Sequence, residues 1–274
     1  GYVLAPTTRL ILFPYEKLDG GTVDFIDEER MKSHYPLTHS YLVEHREALM
    51  ARESGKMRRS DWYAYVYPKA LDIMHLRKLF TPDIAPSACY SIDLSGEAYF
   101  TGGVSGGYGL LVKPAYSDYY ILGLLNSRVL DWYLKQISTQ MRGGWYSYES
   151  KFIKHLPIAL TGPKSEQRIA DLVKKRTETT SGPEATSLER EIDVLVCKLY
   201  GLSWEQAKVV DPELGLSQAE YDAVELPDAE GPLGAAGNSV GGAPGVTGLT
   251  DEGTLFGQPK EEPVKQKKVA KRNK

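Results

Sequence analysis

Residues 119–157, YYILGLLNSRVLDWYLKQISTQMRGGWYSYESKFIKHLP, constrain this chain more than any other segment. In the first half Ile121, Leu124, Leu125, Val129, Trp132 and Tyr133 recur at i, i+3, i+4 spacing. That spacing predicts one amphipathic helix with a single apolar stripe. At Gly143-Gly144 the pattern breaks into a run that mixes Arg142, Trp145, Tyr146, Tyr148 and Lys151. Glycines reach backbone angles closed to other residues and let a ligand approach the chain closely. Cationic and aromatic side chains beside such a loop are the groups that pair with phosphates and stack on bases. A helix, a double glycine and a basic-aromatic run together predict a nucleic-acid surface carried on a rigid support. Arg142 and Lys151 flank the glycines and are read as phosphate or base contacts. Trp145 either locks the loop onto the helix or faces the ligand.

The rest of the chain predicts an α+β body: a small, twisted, mostly antiparallel sheet with supporting helices. Val3 to Tyr15 reads as one or two strands with a turn at Pro6, and Val23 to Ile26 as a partner strand across an Asp19-Gly20 hairpin dipeptide. Thr38 is read as the N-cap of a helix that buries Leu42 and Leu49 and runs to Ser54, where Gly55 ends it. Tyr63, Tyr65 and Tyr67 alternate, which places them on one face of an extended segment. Short strands are predicted at Lys78 to Ile84, Tyr90 to Leu94, Ala98 to Thr101 and Tyr108 to Lys113. The glycines of GGVSGGYG lack the order and the following helix of a nucleotide-binding turn, so they read as a hairpin or loop. A C-terminal helical hairpin follows, Ser165 to Glu178 and Thr186 to Tyr200. In its second helix Thr186 and Glu189 form a capping box, and Leu188, Ile192, Leu195, Val196 and Leu199 make one apolar face, which is read as core. Ser203 and Gln206 open a further short helix.

Composition narrows the function classes. The chain of 274 residues carries a net charge of −3, spread unevenly. Residues 227–259 hold only acidic charges among Gly, Pro and Ala, while Lys260 to Lys274 is mostly basic; both lack apolar periodicity and are expected to be disordered. The basic tail is either a non-specific DNA-binding arm or a solvated terminus. No apolar run approaches the ~20 residues of a membrane span and no signal segment opens the chain, so no membrane partner and a cytoplasmic location are expected. Cys89 and Cys197 lie far apart, and the five histidines are scattered, so no metal site is expected. The chain starts at Gly1-Tyr2, as a piece of a longer polypeptide would.

Several pieces, taken in order, carry a resemblance. Leu124-Leu125-Asn126-Ser127, Gln136-Ile137-Ser138, Arg142 to Tyr148 and Leu156-Pro157-Ile158 follow one another as they do in one protein group. Leu12-Phe13-Pro14-Tyr15, the segment Tyr35 to Arg52, and Trp62-Tyr63 to Pro68-Lys69 precede them, and Ile192 to Leu202 closes the series. Over residues of roughly 10 to 222 the chain resembles the target-recognition (specificity) region of adenine-specific DNA methyltransferases and fused type II restriction-modification enzymes, the TaqI- and Eco57I-like C-terminal region. The resemblance implies sequence-specific recognition of double-stranded DNA. It also implies a methyltransferase domain N-terminal to this region in the parent polypeptide, using S-adenosylmethionine, with Mg2+ where a nuclease is fused. Such catalysis requires an Asn/Asp-Pro-Pro-aromatic motif, and this sequence holds no Pro-Pro pair. The chain alone is therefore expected to be no enzyme, with no catalytic residues and no cofactor of its own.

These readings divide the chain into a DNA target-recognition domain at 1–160, a helical segment packed on it at 161–226, and a disordered linker and tail at 227–274. The candidate DNA-binding residues are Arg58, Arg59, Trp62, Tyr63, Lys69, Arg142, Gly143, Gly144, Trp145, Tyr146, Tyr148 and Lys151. Two alternatives stand beside them. One is a protein–protein adaptor, the specificity subunit of a multi-subunit restriction system, for which a second recognition repeat would be expected. The other is a metal-dependent nuclease built on Glu149-x-Lys151 with Asp131 or Asp118 as the second acid.

Overall fold

The computed structural model of the chain describes residues 1–18, 21–100 and 106–228. The chain opens with strand β1 (Tyr2–Val3), then runs without regular structure to β2 (Tyr15–Lys17), which pairs antiparallel with β3 (Val23–Phe25). The Asp19-Gly20 turn lies outside the described residues. Three helices follow: α1 (Glu28–His34), α2 (Pro36–Glu44) and α3 (Arg46–Gly55). Asp27 caps α1 by accepting from the Arg30 N–H at 2.8 Å. Thr38 is not a cap. The helix starts two residues earlier because Pro36 has no N–H to leave unsatisfied at the first helical position. At its C-terminal end α3 leaves helical geometry, and Glu53, Ser54 and Gly55 all take positive φ. Leu42 is buried and Leu49 half-buried, in a satellite core with Ile26, Met31, Trp62 and Tyr63.

The main sheet collects β4 (Lys78–Pro82), β6 (Ser91–Asp93) and β7 (Gly107–Leu110), with β5 (Ile84–Ala85) standing apart. Its order is β1-β6-β4-β7. The β4 pairings are antiparallel, with Leu79 opposite both Ile92 and Leu110, and β1 runs parallel to β6. Central strand β4 is buried, so its Lys78 needs an internal partner, and Asp93 supplies it at 2.8 Å with both side chains nearly sealed from solvent. Burial pushes the Asp93 carboxyl up, but hydrogen bonds from Lys78, the Ala98 N–H and Ser95 outweigh it and hold the group below its usual range. Ala98 to Phe100 is not a strand; it is irregular chain whose Ala98 N–H, with that of Gly96 before it, donates to Asp93. Thr101 lies outside the described residues.

The long helix predicted from Tyr119 is two helices, α4 (Asp118–Asn126) and α5 (Arg128–Ile137). Ser127 breaks it with ψ 151°, and its hydroxyl accepts from the Leu130 N–H to cap α5. The residue before it explains the break. Asn126 turns its amide to the backbone of one distant residue: Oδ1 accepts from the Tyr90 N–H and Nδ2 donates to the Tyr90 carbonyl, both at 2.9 Å, with Nδ2 also donating to Leu122 O at 3.2 Å. Helix α4 is buried all round from Tyr120 to Leu125, whereas Trp132 on α5, predicted for the apolar stripe, is 39% exposed.

After β8 (Tyr146–Ser147) and α6 (Ser150–Ile153) come α7 (Pro163–Glu178) and α8 (Pro183–Leu199), the helical hairpin, which packs on α4. A Cβ on Gly123 would sit 2.7 Å from Val173 Cγ2, so the closeness of α4 to α7 depends on this glycine. The apolar face of α8 is buried as predicted, but α8 begins a turn before Thr186. Gly182 and Pro183 start it, and Glu189 pairs with Arg176 instead of closing a capping box. Ser203 and Gln206 do form such a box on α9 (Trp204–Val210), and α10 (Gln218–Asp222) follows. Asp228, placed in the disordered tail from sequence, accepts from the Lys164 and Ser165 N–H groups at 2.8 Å and so caps α7. The remaining tail lies outside the described residues.

Candidate nucleic-acid interface

The basic-aromatic run folds as a β-hairpin. The Ser147 N–H donates to Thr139 O at 3.1 Å, the Met141 N–H donates to Trp145 O at 2.6 Å, and Gln140 bridges Tyr146 between them. Its tip is Arg142-Gly143-Gly144, with φ +81° and +79° at the glycines. A Cβ on Gly144 would meet nothing within 4 Å, so the glycine is there for its backbone angle. Arg142, Gly143, Gly144 and Trp145 are exposed, Trp145 at 42%. Trp145 therefore does not lock the loop to the helix. Tyr146 is half-buried and does so, with the Lys135 ammonium of α5 5.5 Å from its ring centre.

The hairpin is held from beneath. Strand β8 pairs antiparallel with β5, Ile84 opposite Ser147. Ser138 Oγ donates to Ser147 O at 2.5 Å, and the Tyr148 N–H donates to Asp83 O at 2.7 Å. Tyr148 is fully buried, which removes it from the candidate contacts. Its hydroxyl donates to Asp131 Oδ1 at 2.6 Å. Burial, then the adjacent Asp131 carboxylate, pushes the phenol far above its usual range, so it stays a donor. Asp131 also accepts from the Ala88 N–H and from Lys135 Nζ, each at 2.7 Å. One buried carboxylate thus ties the end of the hairpin to α5 and to the segment leading into β6.

Lys151 is exposed on α6 and pairs with Glu149 at 2.7 Å. Its hydrogen bond, followed by that of Ser147, holds the Glu149 carboxyl below its usual range. Neither acid proposed as partner for a nuclease centre is free. Asp131 has the three donors just named and Asp118 pairs with Arg77 at 3.1 Å. Among the described residues no group of three or more His, Cys, Asp or Glu could hold a metal ion. The nearby Asp83 is buried, and its Oδ1 has no hydrogen-bond partner; burial, then Glu149, raises its carboxyl.

The second candidate group splits by burial. Arg58, Arg59 and Lys69 are exposed, with Arg59 Nε 2.7 Å from Asp61. Trp62 is fully buried beneath the Arg46 guanidinium, 5.0 Å from its ring centre. Tyr63 is 3% exposed, and its hydroxyl donates to Ile26 O at 2.6 Å; burial pushes its phenol up to about 12. Both are corrections: they are core of the satellite cluster and carry the loop rather than face a ligand. The alternating tyrosines do not share a strand face either, since the segment turns and leaves Tyr67 61% exposed beneath Lys56. Sequence reading missed Met141 and Lys135. Met141 could have been found from its place opposite Trp145 across the two glycines.

Comparison with known proteins now bears directly on this geometry. Residues 36–158, from the start of α2 through the hairpin to the Leu156-Pro157-Ile158 segment, match the family model of the TaqI-like C-terminal specificity domain. This part of the chain is thus similar to TaqI-like C-terminal specificity domains. Among curated relatives, the type II restriction enzyme and methyltransferase RM.Eco57I of Escherichia coli is 26% identical over 159 residues, 54% of this chain and 15% of that protein. The type II methyltransferase M.BstVI of Geobacillus stearothermophilus is 23% identical over 206 residues, 72% of this chain and 31% of that protein. The chain thus spans less than a third of either relative. The matched region contains both loop groups, and its motif residues are largely scaffold: Leu124, Leu125, Asn126, Ser127, Ser138 and Tyr148 build the hairpin's support.

Proposed function

We propose that this chain is the DNA target-recognition module of an adenine-N6 DNA methyltransferase or restriction-modification enzyme. It binds duplex DNA and directs methylation by a catalytic domain outside this chain, which would use S-adenosylmethionine, with Mg2+ where a nuclease is fused. The observation that carries this reading is the exposed Arg142–Trp145 tip, with its glycine backbone, standing on a buried base held by hydrogen bonds to Asp131 and Asp83. Arginine reads guanine edges bidentately, while exposed cations such as Lys151, Arg58, Arg59 and Lys69 take phosphates and set register. The module's own chemistry is positional: it selects which adenine the methyltransferase can turn out of the stack.

The test is fluorescence anisotropy of the chain against a labelled random-sequence duplex pool in a salt series, with the bound DNA sequenced. Salt-sensitive binding with an enriched motif supports the reading. Arg142→Ala should cost about 1–3 kcal/mol and relax one position of the motif, whereas Lys151→Ala should weaken binding uniformly and lower the salt slope by about 1. Absence of binding at low salt would overturn it for the isolated chain.

A further inference from the structure

The hairpin register gives its tip two unlike faces. Gln140 opposes Tyr146, and Met141 opposes Trp145 one step nearer the tip. Directly opposed residues share a face, and successive ones alternate. Tyr146 faces α5 beneath Lys135, so Met141 and Trp145 stand side by side on the other face, away from the supporting helix. They are 38% and 42% exposed. Trp145 leans on the tip backbone, its Cδ1 3.7 Å from where a Gly143 side chain would begin. A sulfur-bearing apolar chain and an indole thus form a paired apolar edge, with the Arg142 guanidinium at its end and no charged residue within it.

We infer that Met141 and Trp145 form a wedge that enters duplex DNA at one base step, unstacks it and kinks the helix; this rests on the DNA-recognition reading above. Proteins that kink duplexes do so with apolar side chains inserted between bases, while neighbouring cations hold the backbone. The indole supplies a face on which an unstacked base rests, and the flexible methionine fills the remaining gap. The hydrogen bond at 2.6 Å between Met141 and Trp145 keeps the two side chains opposed, so the edge is formed before DNA arrives. The wedge makes the deformability of one step part of the target, a specificity that hydrogen bonds to base edges do not supply.

The experiment uses the full chain and 30-base-pair duplexes, dye-labelled at both ends, recovered from a random pool by the wild type. Binding is followed by anisotropy, bending by end-to-end energy transfer, and stacking by quenching of indole emission. The wild type should bend the duplex and lose indole emission on saturation. Trp145→Ala with Met141→Ala should bind on the order of 10-fold more weakly and lose the bend, while its salt slope is unchanged. Trp145→Phe should keep the bend and lose the quenching. Binding without bending or quenching by the wild type overturns the wedge alone, as does a bend retained by the double alanine variant. Absence of binding by the wild type overturns the recognition reading and the wedge with it.

Discussion

Replacing Tyr148 by phenylalanine removes one oxygen atom from a site that sequence reading assigned to DNA and the structure assigns to the scaffold. The ring is fully buried and stays, so no cavity opens and no apolar contact is lost. What goes is the 2.6 Å bond to Asp131, whose carboxylate keeps the Ala88 N–H and Lys135 as donors. A hydrogen bond to a charged acceptor contributes about 1.5–3 kcal/mol, and the buried oxygen left one donor short keeps the loss in that range. For a folded body of this size that lowers Tm by about 3–12 °C. Urea unfolding followed by circular dichroism reads the stability, and anisotropy against the duplex enriched by the wild type reads binding. Stability should fall, while the enriched sequence stays the same for the folded variant. A stability change under about 0.5 kcal/mol, with DNA affinity lost, would refute the scaffold assignment and return Tyr148 to the interface.

Three further outcomes follow from the core. Lys78→Met leaves Asp93 buried without its cation and should cost about 3–5 kcal/mol, measured by urea unfolding at neutral pH. Gly123→Ala presses on Val173 and Ile169; overpacking of about 1–3 kcal/mol exceeds the gain of about 1 kcal/mol in helix propensity, so thermal unfolding should show a net loss. Burial raises the Asp193 carboxyl to about 7 from an ordinary 3.8, against the opposing hydrogen bond and charge of Arg128. Its folded form holds a proton that the unfolded form has released, so its contribution is complete below about 4 and is lost as pH rises toward 7. The loss reaches at most about 1.4 kcal/mol per pH unit in that window, and Asp193→Asn should flatten the pH dependence of urea unfolding there.

How much of this was legible depended on whether an expectation rested on period or on local chemistry. The apolar face of α8 and the strands around Leu79 and Leu110 were readable because burial imposes a repeat along the chain. The break at Ser127 was not. An uninterrupted 3.6-residue pattern runs across it, and its cause lies 36 residues away in sequence, where Asn126 binds the backbone N–H and carbonyl of Tyr90. Arg142 and the glycines were found from composition and spacing and emerge at the hairpin tip. Trp62, Tyr63 and Tyr148 were misplaced for the opposite reason: an aromatic beside a basic loop has the same sequence signature whether it faces a base or supports the loop. Only burial and hydroxyl partners at Ile26 and Asp131 separate the two.

The same separation predicts that the hairpin tip can change without the fold. The tip backbone needs positive φ at Gly143 and Gly144, but nothing packs within 4 Å of where a Gly144 side chain would begin, and Arg142 and Trp145 are exposed. Substitutions at positions 141, 142 and 145 that keep both glycines should therefore move stability by less than about 0.5 kcal/mol, the usual range for surface positions. They should nonetheless alter the sequences enriched from a random duplex pool. Just below the tip the expectation reverses, because Tyr146 packs under Lys135 and Tyr148 holds Asp131. Unfolding curves for Arg142→Gln and Trp145→Ala beside that of Tyr148→Phe decide the matter. Comparable losses in all three would mean that tip and scaffold form one cooperative unit, and that a new target could not be obtained by changing the tip alone.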